Sequence, residues 1–174
     1  MVNGAAVKPL PFAPGPGGQV VMGAPPWTPP VYARLRIPAI GLSTIVVQGA
    51  TLTDYFDLMV WGPAHLAGSP APGGVGNAVI FGHNDEFGSP FWYLHRLHPG
   101  EAIDLTAHGR TAVYRVTALW PIEPTNLSPV APLSGVRALT LVTCAGFANT
   151  LRLAVRAVMP PSSPPRAAGV PAHD

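Results

Sequence analysis

The sequence predicts a mostly-β domain, closed or sandwich-like. At least six runs read as strands, turn residues separate them, and the helical stretches are short. Proline is uneven: residues 1–30 hold eight, residues 160–174 hold five, and the 129 residues between hold only ten. The chain therefore divides into a Pro/Gly-rich linker (1–30), one domain (31–159) and a Pro-rich tail (160–174). A core of about 130 residues can bury roughly two-thirds of its unfolded surface without a disulfide or metal.

The elements follow in order. In Tyr32–Ile37, Ala33, Leu35 and Ile37 alternate with Tyr32, Arg34 and Arg36, a period of two. Pro38 ends that strand. Thr44–Gln48 is rich in β-branched residues and reads as a second strand. Thr51–Met59 is the best helix candidate, with Thr51 or Thr53 as cap and Leu52, Phe56 and Met59 on one face. Gly62–Gly76 reads as a loop. Asn77–Phe81 is a short apolar strand ending at Gly82-His83. Phe91–Leu97 suits one or two helical turns, stopped by Pro99-Gly100. Ala102–Thr106, Thr111–Trp120, Ala138–Thr143 and Leu151–Met159 complete the strands, with a long connection from Pro121 to Gly135. Pro160-Pro161 bars continuation of the last one.

Composition excludes several classes. Hydrophobic residues make up 48% and charged residues 10%, which removes disordered polyelectrolytes. The single lysine removes coiled coils, and the ten scattered cations in a net charge of +2 leave no nucleic-acid footprint. One cysteine, Cys144, rules out an internal disulfide and a CxxC metal site. No apolar run reaches the ~18 residues of a membrane span, and no signal-peptide pattern is visible.

Three residues could carry chemistry together. Cys144 follows the apolar run Leu139–Thr143 and precedes Ala145-Gly146, so it stands at a strand tip. From position alone it reads first as a small buried hydrophobe, because a thiol becomes a nucleophile only when a neighbour stabilises its thiolate. His83 ends another strand after Gly82, and strand ends can share one rim of a barrel. His65, in a Gly- and Pro-rich loop, is its rival among the histidines. Arg152 opens the strand after the Cys144 turn and is the better oxyanion donor. Arg156 has the same parity but lies two pleats, roughly 13 Å, further along.

Several strings resemble the sortases in order and spacing. They are Arg36-Ile37-Pro38-Ala39-Ile40-Gly41-Leu42, Trp61-Gly62-Pro63-Ala64-His65, Gly76-Asn77-Ala78-Val79-Ile80-Phe81-Gly82-His83, Thr140-Leu141-Val142-Thr143-Cys144 and Arg152-Leu153-Ala154-Val155. The resemblance covers about residues 32–159. Trp61–His65 is closer to the class D, E and F relatives than to class A. It implies an eight-stranded sortase-type β-barrel with one or two short helices. It implies catalytic roles for His83, Cys144 and Arg152, and substrate contacts for Thr143 and His65. The implied activity is that of a cysteine transpeptidase, acting on an LPxTG-like sorting peptide through a thioacyl-enzyme and passing it to an amine. That places the protein at the outer face of a bacterial membrane, with its anchor expected outside this chain and with no nucleic acid as partner.

No cofactor is expected. Asp85, Glu86 and Glu123 read as a solvated rim rather than a calcium site, and His65, His83 and Cys144 lack the short ligand spacing of zinc. A substrate-mimicking lid is not expected from residues 1–30, which contain no acid. The turn after Cys144 is short, so the Pro121–Gly135 connection is expected to shape the substrate groove. Two alternatives stand beside this. An L,D-transpeptidase-like enzyme of peptidoglycan also places His before Cys, but its cysteine motif reads SHGC with an arginine two residues on. A non-catalytic peptide-binding β-barrel would leave Cys144 inert.

Overall fold

The computed structural model describes residues 29–52, 59–146, 149–161 and 166–167. Nine strands are formed among them: β1 (Val31–Ile37), β2 (Leu42–Ala50), β3 (Ala64–Leu66), β4 (Gly76–Phe81), β5 (Ala102–Ala107), β6 (Arg110–Ile122), β7 (Arg137–Ala145), β8 (Leu151–Val158) and β9 (Arg166–Ala167). The sheet runs β5-β1-β2-β3-β4-β7-β8-β6, and β6 pairs back onto β5. Eight strands thus close into a barrel, which leaves those strands no free edge. β9 adds to Arg110 and Thr111 of β6.

Strand alternation builds two apolar layers. Leu35, Ile37, Val46, Ile80, Ile103, Leu105, Tyr114, Leu139, Leu141 and Val155 fill the barrel. The alternate residues Val79, Phe81 and Val142 face outward, where Met59, Val60 and Trp61 cover them in a second cluster. β4 and β7 are therefore buried on both faces, which explains runs that are mostly apolar and broken only by the buried polar residues Asn77, Thr140 and Thr143. They pair in parallel, as do β2 and β3; the other barrel pairs are antiparallel.

Three expectations change. β3 lies within the stretch read as a loop. Only three residues long, it carries no periodic signal and is held by β2 on one side and β4 on the other. Phe91–Leu97 forms a 3-10 turn at Leu94–Arg96, and Phe91, Leu94 and Leu97 are all buried. That spacing of three suits the eclipsed faces of a 3-10 turn. In the tail, β9 follows the prolines. The helix expected over Thr51–Met59 lies mostly outside the described residues, as do Thr53, Phe56 and the linker up to residue 28. The linker's last residue, Pro30, already accepts a bond from the Gln48 amide at 3.1 Å.

Gly82 shows why strand β4 ends without a side chain. A methyl group there would stand 2.5, 2.6 and 2.9 Å from ring carbons of Phe91, while the Phe91 amide is bonded to the His83 carbonyl at 3.0 Å. Gly82→Ala is expected to destabilise the fold by about 1–3 kcal/mol through overpacking. Thermal or urea unfolding measures this, and an unchanged midpoint would contradict the packing account.

Candidate active site

The parallel pairing of β4 with β7 is uninterrupted from Gly76↔Arg137 to Phe81↔Val142, each partner 61 positions on. Two further bonds continue it past the strand end. The Gly82 amide donates to the Val142 carbonyl at 3.1 Å, and the Thr143 hydroxyl donates to the Gly82 carbonyl at 2.8 Å. Counted one residue further, the same offset of 61 matches His83 with Cys144.

The third residue comes from the other side. β7 and β8 pair in an unbroken antiparallel register in which Cys144 stands directly opposite Arg152. Opposed residues share a face of the sheet, so thiol and guanidinium stand on one surface, the face that also carries Val142 and Thr140. Ile122 of β6 is opposite Arg152 in turn. Of the sequence-predicted set, Cys144 and Arg152 are thus paired directly, while His83 follows the end of β4, the strand that pairs with β7.

The turn between β7 and β8 ties these groups to each other. Asn149 has left-handed backbone (φ 58°), a conformation that asparagine tolerates better than most residues. Its side-chain amide donates to an Asp85 carboxylate oxygen at 3.0 Å, and its carbonyl accepts from Arg152 Nη1 at 3.0 Å. The same Nη1 donates to the Leu151 carbonyl, also at 3.0 Å. Glu86 Oε2 lies 3.6 Å from His83 Nδ1, and the Phe87 ring packs on the imidazole at 5.0 Å between centroids. Sequence reasoning missed Asn149 and set Asp85 and Glu86 aside as a rim. Nothing in an Asn-Thr dipeptide announces a bond to a residue 64 positions away.

Burial sets the protonation of the pair. His83 is 5% exposed, and desolvation pulls its pKa down to about 4, against the opposing pull of Asp85. Desolvation pushes the Cys144 thiol up. Arg152 lowers it, and the carboxylates of Asp85 and Glu86 raise it. At neutral pH the resting pair is imidazole and thiol, both uncharged.

Cys144 lies where two grooves meet. One, enclosing about 620 Å³, is lined by Phe81, Val142, Arg152 and the wall Ile122, Pro124, Asn126, Leu127 and Val130. The Pro121–Gly135 connection therefore does shape a groove. The other, of about 490 Å³, is bounded by Asn84, Trp92, His95, Gly146 and Leu153. Thr143 and Cys144 line both. The structure does not bring His65 to either. It sits in β3, 2% exposed, stacked on Tyr32 at 4.1 Å, with Nε2 bonded to Ser69 Oγ at 2.9 Å and the Pro70 carbonyl at 3.1 Å. Those contacts explain the histidine as a strut between strand and loop. Among the described residues no three His, Cys, Asp or Glu cluster as metal ligands, and no helix is long and apolar enough to cross a membrane.

Comparison with known proteins gives a consistent result. The Sortase domain family model matches residues 35–160. A curated relative, Sortase SrtE1 of Streptomyces coelicolor, is 28% identical over 124 residues, covering 65% of this chain and 35% of the relative. The chain thus spans about a third of that relative's length. Among solved structures, sortase C-1 of Actinomyces oris is similar at 28% identity and a TM-score of 0.67, covering 76% of this chain and 75% of that one. Sortase A of Corynebacterium diphtheriae is 31% identical with a TM-score of 0.69, covering 78% and 63%. A Clostridium perfringens sortase D5 transpeptidase is 25% identical with a TM-score of 0.67, covering 74% and 78%.

The charges around the sulfur give a direct expectation. Iodoacetamide alkylation of Cys144, followed against pH, should show a midpoint above the usual thiol range. Arg152→Met should move that midpoint further up and Asp85→Asn should move it down. Shifts in the opposite directions would refute this electrostatic assignment.

Proposed function

The chain belongs to the sortase family, and from that premise we propose that it is a cysteine transpeptidase with Cys144 as nucleophile, His83 as acid–base and Arg152 as carbonyl or oxyanion donor. The observation that carries the reading is the pairing of Cys144 with Arg152 on one face, beside a histidine delivered by the β4–β7 register. Neither the L,D-transpeptidase reading nor the inert peptide-binding barrel finds support in the fold or the comparisons.

The steps follow from the groups present. A proton passes from the Cys144 thiol to His83, and the sulfur attacks the carbonyl carbon of a peptide bond in an LPxTG-like sorting signal. Charge developing on the carbonyl oxygen is met by the Arg152 guanidinium. The C–N bond breaks as His83 returns its proton to the leaving amine, which gives a thioester on Cys144. An acceptor amine then attacks that thioester, loses its proton to His83, and displaces the sulfur. The peptide donor suits the groove that contains Arg152. The second groove opens on the same sulfur from the other side and offers the acceptor an approach that the donor does not fill. The donor is a surface protein and the acceptor a cell-wall precursor or another protein. This setting is the outer face of a bacterial membrane.

Resting Arg152 donates to its own turn, at Asn149 and Leu151. A substrate carbonyl entering the groove competes for this guanidinium, which still has other N–H donors in its fork. Binding of substrate also removes water from the sulfur, which strengthens every charge interaction there.

Cleavage of a fluorogenic LPxTG-type peptide tests the assignment. Cys144→Ala should abolish it and Arg152→Met should reduce it by about two orders of magnitude or more. Hydroxylamine should divert the thioester to a hydroxamate. Cleavage that survives Cys144→Ala would reject the nucleophile.

The pH profile follows from the order of the two titrations. The reactive proton arrangement is thiolate with imidazolium. With His83 near 4 and Cys144 above its usual range, that arrangement is a small, constant fraction between the two values. Below about 4 the sulfur stays protonated while His83 is charged; above the thiol value His83 lacks the proton. The rate kcat/KM should therefore be flat from about pH 5 through neutrality and fall only at the two extremes. A narrow bell centred near pH 7 would contradict this order.

A further inference from the structure

The outward face of β4, β7 and β8 carries a second polar group that the chemistry does not use. Thr140 of β7 stands opposite Arg156 of β8, two pleats from Cys144 and Arg152. Asn77 of β4 completes the group. The Thr140 hydroxyl donates to Asn77 Oδ1 at 2.6 Å. That bond fixes which end of the amide is which, and turns the NH2 toward the connection above. Asn77 Nδ2 then donates to the Pro129 carbonyl at 2.9 Å and to the Ala131 carbonyl at 3.0 Å. Arg156 Nη2 reaches the same Pro129 carbonyl at 2.8 Å, with its guanidinium 5.9 Å from the centre of the Trp120 ring.

These bonds hold the inner side of a 3-10 turn, Ser128–Val130, whose last residue Val130 and preceding residue Leu127 line the donor groove. Asn77 is 2% exposed and Thr140 is fully buried. Leaving such groups unpaired is costly, so the set holds as a unit. Pro129 sits between two donors and offers no N–H of its own to compete.

We propose that Asn77, Thr140 and Arg156 are positioning residues that fix the Ser128–Val130 wall over the donor groove and thereby set which sorting peptides fit. This rests on the reading of that groove as the peptide donor site. None of the three touches the reacting atoms, so they govern binding rather than bond-making.

The test compares Thr140→Val, Arg156→Met and Arg156→Lys with the unaltered protein. Thr140→Val and Arg156→Met should each raise KM for an LPxTG-type peptide about ten-fold, the scale of one lost strong hydrogen bond, with kcat within about two-fold. Arg156→Lys, which keeps a single donor, should recover part of the loss. The rate and pH profile of Cys144 alkylation by iodoacetamide should not move. Hydrogen exchange should speed up at the Val130 and Ala131 amides and stay unchanged in β4, β7 and β8. An unchanged KM with unchanged local exchange overturns the proposal. Alkylation that falls with KM, or exchange that rises across the barrel, also overturns it, because the residues then serve only stability. If the unaltered protein cleaves no such peptide, the transpeptidase reading fails, and exchange at Val130 and Ala131 still decides the clasp.

Discussion

The whole site depends on one parallel strand pair. β4 and β7 run side by side at a constant register, and both are packed between the barrel interior and the outer cluster. A parallel pair cannot be joined by a tight turn. Its members come from separate parts of the chain, here with β5 and β6 formed between them. Burial on both faces removes any freedom to slide, since a slip would move an entire apolar set to the wrong side. The Thr143–Gly82 bond then carries the pairing one step past the end of β4. The backbone positions from which His83 and Cys144 project thus follow from the core-packed strand pair.

Around that fixed pair the electrostatics are balanced rather than extreme. Burial opposes charge on both His83 and Cys144. One guanidinium favours the thiolate, and two carboxylates oppose it. Asn149 is the mechanical link between the opposing sides, because its side chain holds Asp85 and its carbonyl holds Arg152.

Much of this was legible in the sequence, for physical reasons. β1, β7 and β8 announce themselves because period-two patterns or mostly apolar runs follow directly from one-sided or two-sided burial. His83 and Cys144 were legible because each ends such a run. β3 was not, since its three residues owe their conformation to β2 and β4 rather than to any pattern of their own. His65 was misjudged for the same reason: a histidine in a Gly- and Pro-rich stretch reads as loop, whereas pairing with Gln48 and Ile80 carries it inside against Tyr32. Asn149 and the Asn77–Thr140 bond were illegible because they join residues 64 and 63 positions apart, and local propensity contains no trace of such contacts.

Strand alternation finally explains how one sheet serves two ends. Along β7, Leu139 and Leu141 point into the barrel, while Thr140, Val142 and Cys144 share the other face. Along β8, Val155 and Ala157 point in, while Arg152, Ala154 and Arg156 share the outer face. The inward set can be apolar and rigid because no chemistry is asked of it. The outward set can then carry polar groups such as the Thr140 hydroxyl and Arg156 Nη2, which are paired to Asn77 and the Pro129 carbonyl. Cys144 and Arg152 lie where the covering connection opens, two pleats beyond the point at which the clasp holds it down. Closed cover over Thr140 and open groove at Cys144 are thus positions of one period-two pattern, two pleats apart with Val142 between them.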